Sequence, residues 1–60
     1  MKMIVEEHDV VLLKDGREGT VVYVGKDPLG YLVEFPEDEG ELEEISPDQI
    51  ERVTWRIKEQ

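Results

Sequence analysis

The sequence of 60 residues contains no cysteine and a single histidine, His8. Without cysteine the chain has no disulfide and no thiolate metal site, so its stability must come from packing or from association. The absence of disulfides is typical of proteins in a reducing cytoplasm. His8 has only acidic neighbours (Glu6, Glu7 and Asp9), and consecutive strand residues do not converge on one ion. We therefore predict no metal site and no cofactor.

Basic residues are scarce as well: seven Lys and Arg stand against sixteen Asp and Glu, for a net charge of −9. Proteins bind phosphate backbones and anionic lipid through Lys and Arg, so this balance argues against direct nucleic-acid binding and membrane adhesion. Residues 1–8 carry acids where a signal peptide needs an apolar run, and no later run approaches membrane-spanning length. We expect a soluble cytoplasmic protein whose partner is another protein, with a basic protein as the favoured class.

The sequence also lacks a recognisable set of catalytic residues. Gly16 and Gly19 are not followed by the helix and lysine of a phosphate-binding loop, so we interpret them as turn glycines. Paired carboxylates need a low-dielectric cleft to separate their pKa values, and a chain of this length has little room for one. We predict that the protein is not an enzyme and has no catalytic residues.

The chain does contain sequence patterns that predict β-strands, and the clearest of them lies in residues 16–35. Runs rich in β-branched and aromatic residues there flank a turn-forming loop, residues 25–30, which predicts a hairpin. Pairing the arms about this loop gives three cross-strand pairs: Val24 with Tyr31, Val22 with Val33, and Thr20 with Phe35. One face of the hairpin then carries no charge and is the predicted core: Val22, Val24, Tyr31, Val33 and Phe35. A bulge near Gly19 would exchange the two faces.

The aromatic residues are assigned mainly to the core. A domain this small needs its large side chains buried, so we expect Tyr31, Phe35 and Trp55 to be buried and Tyr23 to be exposed. The alternative is an aromatic cage for methylated lysine made by these four side chains.

One further strand is predicted before the hairpin and one after it. The first covers residues 8–13, and residues 3–5 either add an edge strand or form a frayed terminus. The other covers residues 41–45, where the three-residue spacing of Leu42 and Ile45 breaks strict alternation and indicates a bulge or a bend.

The last part of the chain begins with a helical turn. In residues 46–49, Ser46 can cap the turn, a proline takes its first position, and Gln49 completes a capping box. The residues that follow fit both helical spacing and strand alternation. Their β-branched and aromatic content favours a strand over residues 51–57.

Five short strands with one turn before the last predict an all-β fold. We assign it as a small five-stranded SH3-like barrel with one 3-10 turn before the last strand, spanning residues 1–60 as a single domain with its core in residues 8–57.

Residues 16–21, with the sequence G-R-E-G-T-V, resemble the core of the KOW motif, a glycine-centred strand entry of SH3-like barrels. Together with D-V-V-x-L at residues 9–13, Y-x-V-E-F at 31–35 and D-Q-I at 48–50, the pattern is similar to a family of short bacterial proteins of uncharacterised function. The resemblance covers residues 8–53 and implies the barrel fold but no catalytic residues. KOW domains often bind RNA or proteins of transcription and the ribosome. This chain departs from the RNA-binding members in its charge and in lacking a basic loop after the motif.

Acidic residues dominate residues 34–44, where no Lys or Arg occurs. Such a run can simply solvate a loop and protect an edge strand from pairing with another sheet. It does not match a calcium loop, because it lacks the alternating Asp order and the flanking helices of an EF-hand. It can also form a docking surface for a basic partner. The candidate partner-binding residues are Glu37, Asp38, Glu39, Glu41, Glu43, Glu44 and the exposed Tyr23.

Three functional hypotheses follow. The leading one is a non-enzymatic acidic binding module that docks on a protein partner or acts as an accessory within a compact operon. The second is a DNA mimic that occupies a basic nucleic-acid groove with residues 37–44. The third is a structural homodimer whose β-edges pair, since a barrel of this size is marginal alone.

Overall fold

In the computed structural model, which describes residues 5–56, the chain forms one antiparallel five-stranded sheet with two short 3-10 turns and no α-helix. Strands β1 to β5 are Val10–Leu13, Glu18–Lys26, Leu29–Phe35, Glu41–Ile45 and Ile50–Trp55, and the 3-10 turns are Pro36–Asp38 and Pro47–Gln49. The order across the sheet is β4-β3-β2-β1-β5, so β4 and β5 are its edges. The all-β class predicted from the sequence is confirmed. Nothing in residues 5–56 forms a helix with the length and apolar character that crossing a membrane would take.

The start of β1 differs from the prediction. The strand begins at Val10, not at residue 8, because the preceding four residues form a tight turn. The backbone N–H of Asp9 donates to the Glu6 carbonyl at 3.1 Å, and the Glu6 N–H donates to Asp9 Oδ2 at 2.8 Å. The sequence predicts an extra edge strand or a frayed terminus for residues 3–5. Residues 3 and 4 lie outside the described residues, and Val5 is buried in the core but belongs to no strand.

The turn before β1 holds His8 at a φ of +76°, in the left-handed region. A side chain with a Cβ atom costs about 1–2 kcal/mol there relative to glycine, partly offset by the larger entropy of glycine in the unfolded chain. We expect His8→Gly to raise the free energy of unfolding by about 0.5–1 kcal/mol, measured by urea unfolding. The neighbouring Glu7→Gly is the control, because Glu7 has a negative φ, and it should lower stability. Equal losses in both variants would contradict the expectation.

The β2–β3 hairpin is longer and its turn tighter than predicted. Only Asp27 and Pro28, whose peptide bond is cis, connect the two strands. Gly25 and Gly30 face each other within the ladder. The six-residue loop predicted over residues 25–30 is therefore wrong, since both glycines keep an extended backbone and do not turn the chain.

A bulge in β2 changes the register of this hairpin. Val24 lies opposite Tyr31, as predicted, but the pairing then passes over Val22, so that Val21 lies opposite Val33. Val21 is completely buried, whereas Val22 is half-buried. One inserted residue moves all the side chains beyond it to the other face, so strict alternation selected the wrong valine for the core. Two predicted pairs are therefore wrong: Val22 with Val33, and Thr20 with Phe35, because Thr20 lies opposite Glu34.

A shift in the β1–β5 pairing has the same effect at the other end of the sheet. Val53 lies opposite Val11 and Trp55 opposite Val10, so the pairing passes over Thr54. Val10 and Val11 are neighbours in a strand, and their partners therefore point to opposite faces. Trp55 is 58% exposed, and the prediction that it is buried is wrong.

The predicted helical turn and the choice of a strand after it are both confirmed. The 3-10 turn Pro47–Gln49 follows Ser46, whose backbone N–H donates to Gln49 Oε1 at 2.9 Å. Residues 50–55 then form β5, so the strand begins one residue earlier than predicted and ends before Arg56, while residue 57 lies outside the described residues.

Strand β4 has the predicted bounds but not the bulge, which was one of the two irregularities predicted for it. Its pairing with β3 is regular from Glu41 to Ile45, so the bulge expected between Leu42 and Ile45 is wrong. Leu42 instead points away from the core and is 53% exposed. The turn before β4 contains the second 3-10 element, Pro36–Asp38, which was not predicted.

The hydrophobic core lies on one side of the sheet, here called the core face. Its buried members are Val5, Val11, Leu13, Val21, Tyr31, Val33, Phe35, Ile45 and Ile50. The opposite side, here called the outer face, carries Val10, Leu12, Thr20, Tyr23, Leu32, Glu34, Leu42, Glu44 and Trp55. Tyr31 and Phe35 are buried as predicted.

Gly19 lies on the core face at a point where β3 passes very close. A methyl group on Gly19 would lie 2.6 Å from Val33 Cγ1, 2.7 Å from the Glu34 carbonyl oxygen and 2.8 Å from Phe35 Cδ1. Gly16, with a φ of +98°, is the turn glycine that the sequence predicted. Gly19 is inside β2, so its interpretation as a turn glycine is wrong, and its role is to let two strands approach.

Candidate functional site

The acidic segment between β3 and β4 is a compact reversal of the chain. The Glu39 N–H donates to the Pro36 carbonyl at 3.2 Å, and the Gly40 N–H donates to the Phe35 carbonyl at 3.1 Å. Glu39 and Gly40 both have positive φ, which turns the chain back into β4. This geometry presents the acids of the turn to solvent at one end of the edge strand.

Within β4 itself, the carboxylates alternate between the two sides of the sheet. Glu41 and Glu43 lie opposite Phe35 and Val33, on the core face, whereas Glu44 lies opposite Leu32 on the outer face. The acidic candidates therefore surround the edge strand and do not share one face. An edge strand with charges on both sides resists pairing with a second sheet.

Among the acidic candidates, Glu43 is the one that has a partner within residues 5–56. Arg17 Nη1 donates to Glu43 Oε1 at 2.9 Å and Nη2 to Oε2 at 3.3 Å, while Arg17 Nε donates to Asp15 Oδ2 at 2.9 Å. The guanidinium carbon lies 4.6 Å from the centroid of the Phe35 ring. Hydrogen bonding to Arg17 lowers the pKa of Glu43, and the two carboxylates raise the pKa of Arg17. Glu43 therefore helps to hold Arg17 against the Phe35 ring and shares this cation with Asp15.

The remaining acidic candidates are here called the acidic surface: Glu37, Asp38, Glu39, Glu41 and Glu44. All are exposed. Within residues 5–56 the side chains of these five residues form no hydrogen bond and no ion pair. Their charges repel one another, and the resulting negative potential extends into solvent, where it attracts cations.

Tyr23, the non-acidic candidate, is 59% exposed, as predicted. It lies opposite Leu32, which in turn lies opposite Glu44, so the three form a row across β2, β3 and β4 on the outer face. A groove of about 210 Å³ follows this row, lined by Tyr23, Gly25, Pro28, Gly30, Tyr31, Leu32 and Glu44. A methyl group on Gly25 would lie 3.6 Å from Tyr23 Cε2, so the Tyr23 ring lies close to the backbone of Gly25, which has no side chain. This feature is called the Tyr23 groove below.

The alternative of a four-membered aromatic cage is wrong. Tyr31 is buried in the core, and the buried Phe35 ring is already in contact with the Arg17 guanidinium, so neither ring is open to an external ligand. Tyr23 and Trp55 are exposed, but they belong to β2 and β5, which are separated by β1. None of the other three aromatic residues of the proposed cage therefore forms a binding site together with Tyr23.

A second groove of about 210 Å³ lies beside the turn after β1, lined by Leu13, Lys14, Asp15, Asp48 and Gln49. Both of its carboxylates are engaged: Asp15 by Arg17, and Asp48 by the Ser46 hydroxyl, which donates at 2.6 Å. The Ser46 hydroxyl lowers the pKa of Asp48. The side chain of His8 is exposed, and the described part of the chain has no cluster of three His, Asp or Glu residues suited to a metal ion.

Sequence reasoning missed the buried ion pair of Asp9 and Arg56. Asp9 is 2% exposed, and Arg56 Nε and Nη2 donate to its two oxygens at 3.0 and 2.7 Å. Hydrogen bonding from Arg56 lowers the pKa of Asp9. The pair directly extends the Val10–Trp55 pairing of β1 with β5. It could have been found from the sequence only if that register had been known.

Comparison with known proteins gives no match: no family model matches the chain, and neither a curated protein nor a solved structure matches it. The resemblance of residues 16–21 to a KOW motif stays a prediction from the sequence. The case for a function therefore rests on the residues and contacts of this chain.

Proposed function

We propose that the protein is a non-enzymatic binding module that docks on a basic protein partner through its acidic surface and Tyr23. The observation that supports this most is a contrast among the carboxylates. Asp9 is paired with Arg56, and Asp15 and Glu43 share Arg17. The five carboxylates of the acidic surface have no such cation within residues 5–56.

Unmatched charge of one sign suits a protein that meets a partner of the opposite sign. The mutual repulsion of the acids is relieved when Lys or Arg side chains approach, and the long-range field speeds the encounter. Both effects weaken with salt, because the Debye length falls to about 10 Å at 0.1 M ionic strength. Binding by this surface should therefore be fast and strongly salt-dependent.

For the scaffold we propose an SH3-like barrel related to KOW domains. Three features support this: the strand order β4-β3-β2-β1-β5, the 3-10 turn directly before β5, and the bulge in β2. Bulges increase the bending that a small closed sheet needs. The lack of cysteine suits a reducing cytoplasm, where we place the module and its partner, with an accessory role in a compact operon as one setting.

The two other hypotheses have less support. A DNA mimic should present its charges along one face as a phosphate backbone does, whereas Glu41 and Glu44 lie on opposite faces of β4. A homodimer formed by pairing two copies of β4 would place Glu41, Glu43 and Glu44 against like charges of the second copy.

The proposal is tested by measuring the affinity of a fluorescent peptide rich in both Lys and Arg. The variant Glu37→Gln/Glu41→Gln removes two charges from the acidic surface. We expect its Kd at low salt to rise about tenfold, because each exposed ion pair contributes modestly and two are lost.

The matched control is Glu7→Gln/Glu51→Gln, which removes two exposed charges elsewhere in the chain. If binding depends on the acidic surface, this control should change the Kd by no more than about twofold. Equal effects of the two double variants would show that only net charge matters. No binding of the peptide at low salt would contradict the proposed function itself.

A further inference from the structure

The fold already contains one site in which an arginine side chain, that of Arg17, is bound by other side chains. On the core face, the guanidinium of Arg17 lies 4.6 Å from the centroid of the Phe35 ring and donates to both oxygens of Glu43. An aromatic ring of the sheet, a carboxylate of β4 and the carboxylate of Asp15 together hold the cation. A planar guanidinium suits this arrangement because it can stack on a ring and hydrogen-bond a carboxylate at the same time.

The outer face also carries an aromatic ring and a carboxylate of β4, but without the cation. Glu44 follows Glu43 in β4 and therefore points to the other side of the sheet. There it shares a row with Leu32 and the exposed ring of Tyr23. Within residues 5–56 no basic side chain pairs with Glu44.

The shape of the Tyr23 groove fits a long side chain. Tyr23 and Glu44 are two strand spacings apart, which is roughly 10 Å between their backbones. Leu32, half-buried between them, offers an apolar surface for a methylene stem. The paired residues Gly25 and Gly30 leave part of the groove without side chains.

We infer that the Tyr23 groove is the subsite of the docking surface that receives an arginine side chain of the basic partner; this inference rests on the proposed function. The stem of the arginine lies over Leu32, the guanidinium stacks on the Tyr23 ring, and Glu44 accepts its hydrogen bonds. Lysine presents a point charge and cannot stack in the same way, so the groove discriminates in favour of arginine.

The test uses three labelled peptides of the same length that alternate glycine with arginine, lysine or citrulline. Citrulline keeps the shape of arginine and removes its charge. We expect the arginine peptide to bind about tenfold more tightly than the lysine peptide, a difference within the range of one desolvated cation–π contact. The citrulline peptide should not bind.

Two substitutions remove the recognising groups: Tyr23→Ala and Glu44→Gln. Each should weaken binding of the arginine peptide about tenfold and bring its Kd close to that of the lysine peptide. The matched controls are Trp55→Ala, which removes an aromatic ring of equal exposure outside the groove, and Glu51→Gln on β5. Both controls should leave the preference for arginine unchanged.

A third variant, Gly25→Ala, keeps both recognising groups and narrows the space between them. Its new methyl group would make only ordinary contacts, the nearest at 3.6 Å, so the fold should tolerate it. We expect weaker arginine binding without any loss of stability in urea. This separates loss of the groove from loss of the fold.

The outcomes distinguish the subsite from the wider proposal. If the arginine and lysine peptides bind equally, and Glu44→Gln has no more effect than Glu37→Gln, the groove is not an arginine subsite while the acidic surface keeps its function. If neither charged peptide binds at low salt, the proposed function fails as well.

Discussion

Replacing Gly19 with alanine is expected to remove most of the stability of this protein. The new methyl group would lie 2.6–2.8 Å from two core side-chain carbons and from the Glu34 carbonyl oxygen. Backbone cannot move aside as easily as a flexible side chain, so β2 and β3 would have to separate. Overpacking of this kind costs about 3 kcal/mol, which is close to the roughly 3–5 kcal/mol that the core of such a small domain supplies.

The matched substitution is Gly30→Ala, in the strand paired with β2. A methyl group on Gly30 would come no closer than 3.8 Å to its nearest neighbour, the carbonyl oxygen of Ile45. It should raise stability by about 0.5 kcal/mol through the entropy of the unfolded chain. Urea unfolding followed by circular dichroism measures both. A Gly19→Ala variant as stable as Gly30→Ala would show that the strands do not approach as closely as described.

The second large effect is expected at the buried end of the β1–β5 pairing. Asp9→Asn removes the charge that binds Arg56 and weakens the hydrogen bond to the Glu6 N–H. We expect a loss of about 2–3 kcal/mol at neutral pH. The loss stays below that of a fully buried pair, because the side chain of Arg56 is 46% exposed and can be rehydrated.

This loss should depend on pH in a defined direction. Arg56 lowers the pKa of Asp9 in the folded protein below its ordinary value of 3.8. The unfolded chain therefore takes up the proton first, and acid favours unfolding. The contribution of Asp9 is fully present above about pH 5 and is lost as the pH falls through 3.8 and then through the lower folded pKa.

Comparing wild type with Asp9→Asn across this pH range isolates the effect. The stability difference should be largest at neutral pH and shrink below about pH 4. Asp38→Asn, which changes an exposed acid without an ion pair in residues 5–56, should show no comparable loss. A constant difference between wild type and Asp9→Asn down to acidic pH would mean that the ion pair does not stabilise the fold.

The fold class and most strand positions could be predicted from the sequence because β-branched runs and turn residues are local signals. The details that failed depend on long-range pairing. The bulge at Val22 and the shift at Thr54 each insert one residue into a strand and exchange the faces beyond it. No local pattern marks such an insertion, so strict alternation predicts Val22 and not Val21 for the core, and the burial that its size predicts for Trp55 does not occur.

In the candidate site, too, some features follow from local sequence and others depend on long-range contacts. Charge density identified the acidic surface, since it is a property of composition along the chain. Separating Glu43 from its neighbours required the contact with Arg17, which is 26 residues away in sequence. The Tyr23 groove likewise arises only when β2, β3 and β4 are in register, and its shape depends on Gly25 and Gly30, which local turn signals predict to lie in a loop.

The most direct test of the central claim is to titrate the isotope-labelled wild-type protein with the arginine–glycine peptide and follow its backbone amide signals by NMR. Docking through the acidic surface and the Tyr23 groove predicts that the largest shifts occur in residues 23–32 and 37–44, and that they diminish with added salt. Shifts concentrated in β1 and β5, or no shifts at low salt, would contradict it.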